Sequence, residues 1–174
     1  MIIPAVVAAV AVLTVSPFSS RAENPSEEHR LRLYHTHTRQ HLDVVYRRGV
    51  QYVPEALTEL DTFLRDSVSG NLHHFDPRLF DLLADLTAAS HQAGAEISII
   101  CGYRAPETNE YLRTHTTGVA KNSLHMKAEA IDIRIEGFKT ALLRDAALAL
   151  HRGGVGYYAA SNFIHVDVGP VRRW

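Results

Sequence analysis

The stretch Ser123-Leu-His125-Met-Lys-Ala-Glu-Ala130-Ile-Asp132, answered downstream by Asn162-Phe-Ile-His165-Val-Asp167, decides how this chain is read. Imidazole and carboxylate are the ligands a catalytic zinc prefers, and three of them leave the fourth tetrahedral position open. His125, Asp132 and His165 are the candidate three. A fully extended chain would hold His125 and Asp132 roughly 23 Å apart, so they can share an ion only if Met126 to Glu129 form a bend. After it, Ile131, Ile133 and Ile135 alternate with Ala130, Asp132 and Arg134, which predicts a strand with Asp132 on the face away from the core. Ile164, Val166 and Val168 alternate in the same way with Phe163, His165 and Asp167. Two adjacent strands of this kind would present Asp132 and His165 to one ion.

Working outward, the closing strand pairs as a hairpin with Val155 to Tyr158 across Ala159-Ala-Ser-Asn162. Phe138 to His151 carries apolar residues at helical spacing and stops at Gly153-Gly154. Ala95 to Cys101 reads as a strand running into the turn Gly102-Tyr103-Arg104-Ala105-Pro106, with a helix from Glu107 to Arg113. Arg104 at such a strand end is either a surface ion pair or a fixed cation of an active site. Cys101 is expected to be an inert buried thiol. Upstream, Asp76-Pro77 is an N-cap followed by a first-turn proline, opening a helix that Gly94 would end, and Pro54 opens another. Leu31 to Tyr34 and Leu42 to Tyr46 suggest a hairpin. His35, His37 and His41 lie between them without an acidic partner and read as solvated or locally hydrogen-bonded, while His73 and His74 fall in a loop and read as surface residues. Helices first and a run of strands at the site predict an α+β fold: a small antiparallel sheet carrying the zinc site, packed against several helices.

The 174 residues and formal net charge of −1 suit one domain and give no electrostatic footprint for nucleic acid. With one Cys there can be no internal disulfide. Residues 1–22 read as an export signal: an apolar run from Ile2 to Leu13, too short for a comfortable membrane span, then small residues at Ser20-Arg-Ala22 where a signal peptidase cuts. Residues 23–30 would be a polar linker and 31–174 the peptidase domain, exported to the periplasm with no stable membrane span once mature. If the segment is not cleaved, it would instead tether the domain to the membrane.

Three separated motifs carry a family resemblance. Cys101-Gly-Tyr-Arg-Ala-Pro-Glu-Thr-Asn109, Gly118-Val-Ala-Lys-Asn-Ser-Leu-His125, and Gly153-Gly-Val-Gly-Tyr-Tyr158 through His165-Val-Asp-Val-Gly-Pro170 to Trp174 closely resemble the murein endopeptidase K family. That family is a branch of the zinc-dependent LAS peptidases, which share their fold with the hedgehog signalling domain. The resemblance implies a metallopeptidase using one zinc, a DD-endopeptidase hydrolysing cross-linked peptidoglycan peptides, including bonds around meso-diaminopimelate, during wall growth or remodelling. It also implies His125, Asp132 and His165 as zinc ligands, Arg104 near the scissile carbonyl, and Ser123 and Tyr103 in support, Ser123 by fixing its loop. Alternatives are a D,D-carboxypeptidase or dipeptidase on short wall peptides and a non-catalytic zinc-containing domain that binds peptidoglycan.

The chain departs from the family at three positions. Ala128 stands where Gly is usual, inside the bend, so a left-handed backbone there would be strained and Ala128→Gly would relieve it. Cys101 stands where Ser is usual. Asn162 stands where the dipeptidase branch has Glu, which makes Asp167 the candidate general base; its alternative role is to hydrogen-bond His165 or a backbone turn.

Overall fold

The computed structural model describes residues 27–174. The expected export signal lies outside the described residues, as does the first half of the expected linker, residues 23–26. The linker's last residues are instead already structured, because the first strand, β1, spans Glu28–His35. Its partner β2, His41–Arg48, runs antiparallel to it, as the hairpin reading expects, and β2 continues into the short β3, Gln51–Tyr52.

Helices α1, Pro54–Phe63, and α2, Pro77–Ala89, both begin on the prolines that the sequence marks. Asp76 caps α2 by accepting from the Arg78 amide, and α2 ends before Gly94, at Ser90. These two helices carry the chain across one face of the sheet to β4, Glu96–Cys101, which therefore lies parallel to β1. Then follow α3, Pro106–His115; β5, Ala130–Ile135; α4, Thr140–Leu150; β6, Gly154–Tyr158; β7, Phe163–Asp167; and β8, Arg172–Arg173.

The eight strands form one sheet in the order β3-β2-β1-β4-β5-β7-β6-β8. The class is α+β, as expected, but the sheet is larger than the small antiparallel one predicted and is mixed, since β8 also runs parallel to β6. The strands that carry the site, β4, β5, β7 and β6, are antiparallel to one another.

Alternation decides which face meets the helices. Leu31, Leu33, Ile97, Ile99, Ile131, Ile133, Ile164 and Val166 join Leu60, Leu79, Phe80, Leu83, Leu86 and Leu143 in one continuous buried core. Removing that much apolar surface from water, at about 25 cal/mol per Å², is the main term holding sheet and helices together. The opposite face of β5 and β7 is left to present Asp132, His165 and Asp167. No helix among the described residues is long and apolar enough to cross a membrane.

The bend before β5 is a short 3-10 turn, Leu124–Lys127, closed by Ala128 at φ 54°, ψ 36°. The position is thus left-handed, which costs an alanine about 1–2 kcal/mol. The Ala128 methyl is also fully buried in the core. A glycine would give up about 0.8 kcal/mol of that burial and about 0.5–1 kcal/mol of backbone entropy. The relief expected from the sequence is therefore offset, and Ala128→Gly is expected to move Tm by no more than about 3 °C. A thermal melt rising well beyond that would show that strain dominates.

Candidate metal centre

Register brings the distant motifs together. Asp132 of β5 pairs directly with His165 of β7 and, on its other side, with Cys101 at the end of β4. The 3-10 turn then places His125 over the same face. Ser123 caps this turn by accepting from the His125 amide at 3.3 Å, a loop-fixing contact. All three candidate ligands are nearly inaccessible, at 3 % exposure for His125, 6 % for Asp132 and 7 % for His165.

His125 Nε2, His165 Nδ1 and Asp132 Oδ1 converge, with separations of 3.1 Å between the two nitrogens and 3.2 and 2.9 Å from them to the carboxylate oxygen. The far side of each ring fixes which nitrogen is protonated. His125 Nδ1 lies 2.8 Å from the Gly102 carbonyl and His165 Nε2 lies 3.0 Å from Asp167 Oδ2. Both partners can only accept, so both outer nitrogens are donors, and each neutral ring turns a lone pair inward. Two lone pairs and a carboxylate oxygen then face one another with no hydrogen between them. Buried acceptors in that arrangement call for a cation. Tetrahedral ligands at zinc distances of 2.0–2.1 Å would sit about 3.3 Å apart, close to the observed triangle.

The protonation behaviour of the cation-free centre agrees. Burial opposes a charged His125, yet Asp132 raises its pKa well above the ordinary imidazole value. Burial likewise works to raise the Asp132 pKa, but His125 and His165 hold it well below the carboxylate range. A proton here stands in for a missing positive charge. Cys101, His125 and Asp132 also form a possible ligand group, with donor atoms within 4.8 Å of one another. The triangle with His165 is tighter, and Cys101 Sγ is taken by Arg104 Nη2 at 3.3 Å. The sequence reading expected an inert buried thiol; Cys101 is only partly buried and has this cationic neighbour.

Arg104 is held by its neighbours. The Tyr103 amide donates to the Leu64 carbonyl, the Arg104 amide to the His125 carbonyl, and the Ala105 amide to Asp66 Oδ2. Its guanidinium meets Asn109 Oδ1 at 3.4 Å and stands 3.9 Å from Asp132 Oδ2. Asn109 in turn donates to the Ala120 carbonyl, tying α3 to the loop that leads to Ser123. Tyr103 is buried on the other side of this turn, its ring 5.4 Å from His73, and does not join the triangle.

Asp167, considered as a general base, has both carboxylate oxygens engaged inside the fold. It is fully buried, with Oδ2 taken by His165 and Arg172 and Oδ1 by Arg172 and the amides of Gly154 and Gly169. Burial alone would raise its pKa, but these bonds hold it well below the ordinary range. That geometry fits the alternative role, a hydrogen bond to His165 and to the backbone of the turn. Asp132 is the sole carboxylate lining the site cavity.

Sequence reasoning missed several residues around this centre. Arg172 forms a two-pronged ion pair with Asp167, and Trp174 lies against His165 with ring centroids 5.1 Å apart while donating from Nε1 to the Tyr158 hydroxyl. Gly156 makes room for this indole, since a Cβ there would come within 2.6 Å of it. The Gly154-Val-Gly-Tyr-Tyr158 run of β6 was the available signal. Asn109 closes the first family motif but was given no role there, and Asp66 had no signal, because its bond to the Ala105 amide joins segments distant in sequence.

A cavity of about 460 Å³ opens over the triangle, lined by Arg104, Ser123, Tyr158, Phe163 and Trp174 among others. A second, of about 310 Å³, shares Arg104, Asp132 and Phe163 with it and runs out past Tyr103. Asp132 therefore borders both cavities, while His125 and His165 line the first.

Comparison with known proteins agrees with this geometry. The family model described as "Peptidoglycan L,D-endopeptidase MepK" matches residues 23–174. A "Probable peptidoglycan L,D-endopeptidase MepK" of Haemophilus influenzae is 46 % identical over 71 % of this chain and 66 % of its own length, just under two thirds. The "Peptidoglycan L,D-endopeptidase MepK" of Escherichia coli is 40 % identical over 83 % of this chain and 79 % of its own, and that of Shigella flexneri gives the same values. No solved structure gives a significant match. Together, the family match across the described fold and these relatives show that the chain belongs to the MepK family of peptidoglycan endopeptidases, which are metallopeptidases.

Proposed function

We propose that this chain is an exported, zinc-dependent endopeptidase acting in the periplasm on peptide cross-links of peptidoglycan, with His125, Asp132 and His165 as its zinc ligands. The observation that carries the reading is the triangle of inward lone pairs, a donor set that suits zinc, lying at the junction of two cavities. A centre bordered by two cavities suits cleavage within a linked strand. A site for short wall peptides or a dipeptide would need to close on one side. The relatives' printed names specify an L,D bond where the sequence reading expected DD, and we take L,D as the linkage cut.

Zinc bound here would polarise the scissile carbonyl and lower the pKa of a water toward neutrality. The chain's own residues do the rest. Asp167 and Gly102 keep the two imidazoles in the tautomers that face inward. Arg104, fixed at its backbone and at both ends of its guanidinium, offers a cation where negative charge develops on the carbonyl oxygen. Phe163 and Trp174 wall the cleft and limit water. The test is digestion of purified muropeptide dimers, one set L,D-linked and one D,D-linked, with and without chelator. Cleavage of the L,D set that disappears with chelator and returns with zinc is expected; release of single terminal residues alone would favour a carboxypeptidase, and zinc binding without hydrolysis a binding domain.

A further inference from the structure

The second cavity ends in a cluster that the chemistry above leaves unused. His35, His37 and Arg65 line it together with the apolar Val68, Ile100 and Leu112 and with Arg104 and Phe163, which it shares with the first cavity. His35 is only 1 % exposed. Its Nδ1 accepts from the amides of His37 at 3.3 Å and Thr38 at 3.4 Å, so its proton resides on Nε2, which has no hydrogen-bond partner among the described residues. The His37 ring donates from Nε2 to the Ile100 carbonyl at 3.1 Å. Arg65 spends one Nη1 bond on the Thr62 carbonyl at 2.8 Å and forms no ion pair among the described residues.

The anion nearest in sequence does not neutralise this cluster. Asp66 gives Oδ1 to the amides of Val68 and Ser69 and Oδ2 to that of Ala105. A half-buried guanidinium and an imidazole N–H without a hydrogen-bond partner among the described residues thus line one cavity, and although Glu55 and Glu59 border a neighbouring cavity with Arg65, neither forms an ion pair with it among the described residues. Groups so placed lack a counter-ion, and a ligand carboxylate is the partner that both geometry and charge fit. Burial foremost, then His37 and Arg65, keep the His35 pKa below its usual value, so the ring donates as a neutral group.

We propose that the His35-Arg65 end of the second cavity is a subsite for a carboxylate of the peptide substrate, with Val68, Leu112 and Phe163 taking the aliphatic chain between that carboxylate and the scissile bond. The proposal rests on the peptidase reading and adds what one side of the cleft selects. The recognised carboxylate comes either from a side chain of the stem peptide or from its C-terminus. Both have the same chemistry, and selective amidation separates them.

The experiment compares the zinc-loaded chain with its Arg65→Gln variant on three L,D-linked peptide dimers: unmodified, side-chain-amidated and C-terminally amidated. With the unmodified dimer, Arg65→Gln is expected to raise KM about tenfold with little change in kcat, the size of one charge-assisted bond. Amidating the recognised carboxylate should cost the unsubstituted chain a similar factor and the variant almost nothing, and the amide that does so names the source. Equal KM values for both proteins, or equal losses on amidation, would overturn the subsite. Should no dimer be cleaved, the His35 ring resonances of the zinc-loaded chain, titrated with an uncrosslinked stem peptide, still decide the matter. A shift that vanishes when both carboxylates are amidated supports the subsite, and no shift with the charged peptide overturns it.

Discussion

His165→Ala is expected to abolish both stoichiometric zinc and hydrolysis, whereas Asp167→Asn weakens zinc binding by roughly 10–100-fold and leaves the fold in place. The two differ because His165 Nδ1 is a corner of the ligand triangle and Asp167 acts only through the opposite ring nitrogen. Alanine at 165 leaves one imidazole and one carboxylate, too few for a structured zinc site. It also leaves Asp132 buried with a single imidazole partner, so the apo protein should lose stability too. Asparagine at 167 can still accept from one side but no longer forces the proton onto His165 Nε2, so the inward lone pair is present only part of the time. Elemental analysis after dialysis, paired with a zinc competition titration, separates the cases. Full zinc occupancy in His165→Ala would sink the triangle, and unchanged affinity in Asp167→Asn would show that the tautomer is set elsewhere.

What the sequence made legible was the alternation. Ile131-Asp132-Ile133 and Ile164-His165-Val166 each fix a core face and a site face without reference to anything distant, and that is enough to set Asp132 beside His165. The bend carrying His125 follows from reach alone. The sheet's extent was not legible. Whether β1 lies beside β4 depends on how α1 and α2 cross the sheet, and the two-residue β3 and β8 are too short to show alternation. The role of Asp167 was open for a related reason. A His-x-Asp on a strand puts both side chains on one face, but only the packed structure shows that Arg172 and two glycine amides have already used its lone pairs. His41 is similar: its acidic partner, Glu96, comes from β4, far along the chain, at 2.8 Å. The Ala128 backbone was anticipated as a condition, while its buried methyl, which offsets the expected gain, was not.

Arg104→Ala is expected to keep zinc and fold yet lower kcat by about 10²–10³-fold, the usual effect of deleting one group that stabilises developing negative charge. The backbone of the turn would survive, since Leu64, His125 and Asp66 hold it through main-chain groups that alanine retains. Lost instead is a guanidinium 3.9 Å from Asp132 Oδ2 and at the meeting of the two cavities. An interaction made mainly in the transition state lowers kcat and kcat/KM together and leaves KM nearly unchanged. Arg104→Lys should recover little, because an ammonium cannot meet Asn109 and the carbonyl oxygen at once as the planar fork does. The opposing account makes Arg104 a strut that keeps Asn109 and the Ala120 loop in place. On that account the variant would lose thermal stability and raise KM while kcat held. Steady-state kinetics on the L,D-linked dimer, with a thermal melt and a zinc assay on the same preparation, therefore choose between a group that acts on the reaction and one that holds the loop.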